Sequence, residues 1–69
     1  MNGDIWKGLQ IAIVYDFKKS FPLRSDTNEF IDRIRETRTV TDIIDKVALY
    51  YNISQQEATQ KVYKLIEQQ

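Results

Sequence analysis

Residues 39–66, TVTDIIDKVALYYNISQQEATQKVYKLI, carry two helix-start signals with a stop between them, which restricts the chain to folds built around a packed helix pair. Ser54 followed three residues later by Glu57 is a capping box, able to satisfy two N–H groups that a helix start leaves unpaired. Ile53 before the cap and Ala58 after it are spaced as a hydrophobic staple. Ala58, Val62, Leu65 and Ile66 then recur at helical spacing and form one apolar stripe. The preceding helix supplies a partner for that stripe. Thr39 with Asp42 makes a weaker, Asp-containing box, and Ile43, Ile44, Val47, Ala48 and Tyr51 line one face. Asn52 tolerates the left-handed conformation in which helices commonly stop, so a tight corner is expected at Asn52.

At 69 residues the chain is expected to be one small domain. A single core of this size supplies about 3 to 5 kcal/mol, and without cysteine no disulfide adds to it. With no histidine either, only carboxylates remain of the usual transition-metal ligands, so no metal or other cofactor is expected. Ten basic and ten acidic residues cancel, which removes any overall field towards nucleic acid or an anionic membrane. The apolar run from Ile11 to Tyr15 is flanked too closely by Asp4, Lys7 and Asp16 for a signal peptide or a membrane span, and a cytoplasmic location follows by default.

The first 24 residues admit two readings. As a strand, Leu9, Ile11, Ile13, Tyr15 and Phe17 alternate with Gln10, Ala12, Val14 and Asp16. As a helix, Ile5, Trp6, Leu9, Ala12, Ile13 and Phe17 share a side, Asp4 caps the start, and Lys18 and Lys19 sit where the helix dipole favours cations. A hairpin would have to reverse through Lys18, Lys19 and Ser20, without the Gly, Asn or Asp that tight hairpin turns favour. The helix is therefore preferred, with an α+β, winged-helix-like arrangement as the alternative. Pro22 to Ser25 connects onward, with Phe21 and Leu23 tucked beneath. Asp26 and Glu29 form a box-like start for a short helix ending near Glu36, with Phe30, Ile31 and Ile34 inward.

No catalytic frame stands out. Asp42 and Asp45 lie three apart on one helix, but beside Lys46 they read as solvated surface, and an enzyme is not expected. A helix, tight turn and helix could also place a reader in a DNA major groove, with Gln55, Gln56, Thr59, Gln60 and Tyr63 outward and Lys61 and Lys64 at the margins. Glutamine can pair bidentately with adenine. Arg33, Arg35 and Arg38 could reach phosphates, although Glu57 and Glu67 lie on the same reading helix.

Laid end to end, Phe30, Ile31, Ile34, Thr39, Val40, Asp42, Ile43, Val47, Tyr51, Asn52, Ile53, Ala58, Val62, Leu65 and Ile66 give residues 27–66 a pattern that resembles the helical part of the PqqD-like family. These small domains bind the leader segment of a precursor peptide and present it to modifying enzymes. The resemblance implies a peptide-binding adaptor whose leader site lies on the edge of an N-terminal antiparallel sheet. The chain has Glu36, Thr37 and Arg38 where members usually carry Asp-Gly before the Thr-Val.

The sequence thus leads to an all-α expectation, a small bundle of three C-terminal helices packed with an N-terminal helix. Its expected role is a non-catalytic binding or adaptor domain for a peptide or protein, another copy of itself included, with a helix-turn-helix DNA-binding regulator as the alternative. The motive is a surplus of large apolar residues at the N-terminus, more than one face of one short element can bury. Trp6, Ile11, Ile13 and Tyr15 are the candidate contact residues.

Overall fold

The computed structural model describes residues 2–68, with side chains from residue 5 onward. It is all-α: α1 (Asn2–Ser20), α2 (Thr27–Arg35), α3 (Val40–Tyr51) and α4 (Gln55–Glu67). The helices pack in a closed circuit, α1 on α2, α2 on α3, α3 on α4 and α4 back on α1. Among the described residues no strand forms, so the hairpin alternative is set aside. Where a hairpin would have to reverse, helix α1 continues to Ser20, and the Phe21 N–H still reaches the Phe17 carbonyl at 2.8 Å. The sheet edge implied by the family resemblance has no counterpart among these residues.

The helix pair at residues 39–66 forms as its caps dictate. Thr39 and Ser54 are both extended, and their hydroxyls accept from the N–H groups of Asp42 and Glu57 at 3.1 Å. Asn52 adopts φ 58° and ψ 48°, the one positive-φ non-glycine among the described residues, and the next N–H, from Ile53, closes on the Ala48 carbonyl at 3.1 Å. In this left-handed stop the orphan carbonyls at the end of α3 find donors while the chain turns into α4.

Two starts differ from expectation. Helix α1 already runs from Asn2, so Asp4 falls inside its first turn, and the Asp4 side chain lies outside the described residues. Asp26 precedes α2 without any side-chain cap bond. Its carboxylate is held by the Arg24 guanidinium, and the Glu29 carboxylate accepts from the Tyr50 hydroxyl, so neither is available for a box. Arg24 also explains why Leu23 is 96% exposed rather than tucked in. The guanidinium itself occupies the space under the connector, 5.3 Å and 5.1 Å from the ring centres of Phe17 and Phe21, and donates to the Tyr50 carbonyl at 2.8 Å.

The core combines aliphatic and aromatic parts. Leu9, Ile13, Phe17, Phe30, Ile34, Ile43, Ile44, Val47, Tyr50, Tyr51, Ala58 and Val62 form one buried cluster. At its centre Phe17 stacks on Phe30 at 4.1 Å and meets Tyr51 edge-on at 5.4 Å, tying α1, α2 and α3 together. Such pairs add about 0.5 to 1.5 kcal/mol beyond the area they bury. Both tyrosines keep their hydroxyls satisfied, Tyr51 by donating to Asp16 at 2.6 Å and Tyr50 by donating to Glu29. Among the described residues, no helix is long and apolar enough to cross a membrane.

Candidate docking groove

Helix α1 has 19 residues and α2 only 9, about 28 Å against about 13 Å at the helical rise. One flank of α1 therefore extends beyond what its neighbours cover. The inward stripe is Leu9, Ile13 and Phe17, at i, i+4 and i+8, with Trp6, Val14 and Phe21 partly buried beside it. On the outward side lie Ile11 and Tyr15, 62% and 72% exposed, in line with Lys7 and Lys18. Ile5, expected on the inward side, is exposed as well.

Between this flank and α2 runs an open groove of about 230 Å³, lined by Lys7, Gln10, Ile11, Val14, Ile31, Ile34 and Arg35. Its floor is aliphatic and its walls end in one cation from each helix. Gln10 fixes the base, since its Nε2 donates to the Ile34 carbonyl at 2.9 Å and to Thr37 Oγ1 at 3.3 Å. Thr37, buried where α2 ends, in turn donates its hydroxyl proton to the Ile34 carbonyl. These bonds hold the end of α2 against the middle of α1, which sets the width of the groove.

The candidate contact residues do not share one role. Ile11 and Tyr15 are accessible, Trp6 is half-buried against the core, and Ile13 is fully enclosed. Ile13 is thus corrected from contact surface to core, because in a helix it falls in line with Leu9 and Phe17 and not with Ile11. Lys7, Val14, Ile31 and Arg35 were missed as site residues. The helical spacing of Lys7, Ile11 and Val14 would have found the α1 wall, whereas the α2 wall depends on a tertiary contact.

The candidate reading helix presents Gln56, Gln60 and Lys64 to solvent, with Tyr63 half-exposed. Three other positions are occupied. Gln55 donates to Asp45, the Thr59 hydroxyl donates to the Gln55 carbonyl at 2.8 Å, and Lys61 lies 3.3 Å from Asp16 and 5.3 Å from the Tyr51 ring centre. Asp42 accepts from the Arg38 N–H at 3.4 Å, so both aspartates of the carboxylate pair are engaged in structural contacts. Compared with known proteins, the chain matches no family model, no curated protein and no solved structure.

Proposed function

We propose that this chain is a non-catalytic binding or adaptor domain that receives a peptide or protein segment on the outward face of α1 and in the groove between α1 and α2. The observation that carries the reading is the apolar trough of Ile11, Val14 and Ile31, laid over the buried Ile34 and flanked by the exposed Tyr15, in a domain whose buried core does not include those three residues or Tyr15. An accessible aliphatic trough of this kind offers burial to a partner, and burial supplies most of the energy of such associations. The family resemblance of residues 27–66 points the same way, towards a peptide adaptor, with the recognition surface moved from a sheet edge to a helix face. A cytoplasmic setting belongs to the same proposal, supported by the absence of cysteine. The DNA alternative is weakened by the engagement of Lys61 with Asp16 and by the zero net charge.

Panning a random displayed-peptide library against the immobilised chain tests this. Enriched peptides should perturb the amide shifts of Ile11, Val14, Tyr15 and Ile31 and lose binding on Ile11→Asp. Binders that map to the outer face of α4 would overturn the placement on α1 and α2, and duplex binding near physiological salt that survives Ile11→Asp but not Gln56→Ala with Lys61→Ala would overturn the proposal in favour of the DNA alternative.

A further inference from the structure

The groove residues also define the chemistry of the occupant, an inference that rests on the docking reading above. We infer that the groove takes an acidic amphipathic helix about three turns long. The first ground is charge. Lys7 and Arg35 cap opposite walls, Lys18 continues the same flank of α1, and no acidic side chain lines the groove. None of these three cations makes an ion pair among the described residues, and neither do Lys19, Arg38, Lys46 and Lys64, so what sets the three apart is their position along one flank beside the apolar trough. The chain is neutral as a whole, so this flank is a local concentration of unmatched positive charge.

The second ground is backbone chemistry. Both walls are helices whose N–H and C=O groups are satisfied internally, so an extended peptide finds no sheet edge to join and gains no main-chain hydrogen bonds from either wall. A helical occupant brings its backbone already satisfied and needs only an apolar stripe at i, i+3, i+4 and i+7 to meet Ile11, Val14 and Ile31. Length follows from the cations. Lys7 and Lys18 are separated by about 16 Å along α1, three helical turns, so carboxylates near both ends of the occupant would face both lysines. Exposed rim pairs add little affinity individually, but they select between partners and speed encounter, so selectivity is the quantity to read.

The test uses the full chain and three synthetic peptides with one shared apolar stripe and Glu, Gln or Lys at the polar positions, titrated by amide shifts. The Glu peptide should bind about tenfold tighter than the Gln peptide, and the Lys peptide weakest. In the double variant Lys7→Glu, Arg35→Glu the order should reverse. Both residues are at the rim, and an unchanged melting curve would show that the variant is folded. Equal affinity for the Glu and Gln peptides would overturn the acidic inference and leave the docking reading standing. If no peptide binds, the inference falls, and the library panning decides separately whether docking falls with it. Concentration-dependent self-association lost on Ile11→Asp, or binding to vesicles containing phosphatidylserine without binding to the Glu peptide, would also overturn it.

Discussion

Tyr51 shows how one side chain joins helices far apart in sequence. Its ring lies against Phe17 and Phe21, its hydroxyl donates to Asp16 at 2.6 Å, and Lys61 sits over the ring while pairing with the same carboxylate. Burial first, and then the bond to Asp16, push the phenol far above its ordinary value of 10.0. The folded state therefore holds a proton that the unfolded state releases more readily. The stability this contributes is present in full below about pH 10 and is lost as pH rises towards the folded value. Tyr51→Phe should lower stability by about 1 to 3 kcal/mol at pH 7, and the gap to the unaltered chain should narrow above about pH 10. Urea midpoints at neutral and alkaline pH measure the gap, and a constant gap would show that the phenolic proton is not what the fold retains. The corner at Asn52 was legible from residue type alone, because few residues accept a left-handed stop. The link from Tyr51 to Asp16 was not, since nothing local marks the two as neighbours.

At the scale of elements, the caps separate the helices that local sequence specifies from those that packing imposes. The Thr39 and Ser54 hydroxyls cap their helices as read, but the carboxylates of the two boxes accept elsewhere, Asp42 from the Arg38 N–H and Glu57 from the Ser54 hydroxyl, while α2 begins without a side-chain cap because Arg24 holds Asp26. That same guanidinium, through its hydrogen bond to Asp26, holds the Asp26 carboxyl below the usual carboxylate range. Ser54→Ala should cost about 1 kcal/mol, the usual value of a lost N-cap, and Ser54→Gly only a few tenths. Denaturation midpoints that fall equally for both would place the serine's contribution outside the cap. The ambiguity of α1 has a physical origin as well. Leu9, Ile13 and Phe17 lie inward and Ile11 and Tyr15 outward, so two apolar stripes on opposite sides of one helix interleave into the alternation of a strand. The surplus that imitated a strand is the same surplus that suggests a partner.

For the whole molecule, the question is whether the outward stripe belongs to the fold or to something that binds it. The circuit of four helices closes around Phe17, which is fully buried, while Tyr15 two residues earlier on the same helix is 72% exposed. Sequence could assign both to an apolar helix, but only the closure of α1 onto α2 and α4 divides them between core and surface. Phe17→Ala should remove about 3 to 5 kcal/mol, comparable with all that a core of this size supplies, so the variant should be largely unfolded at room temperature. Tyr15→Ala removes a ring that supports nothing inside the domain, and should shift stability by no more than about 0.5 kcal/mol. Thermal melts of the two variants followed by circular dichroism decide the matter. If Tyr15→Ala melts as low as Phe17→Ala, the outward face of α1 is packed within the fold, and both the docking groove and its acidic occupant lose their physical basis. A native melt for Tyr15→Ala with weakened peptide binding assigns that face to recognition.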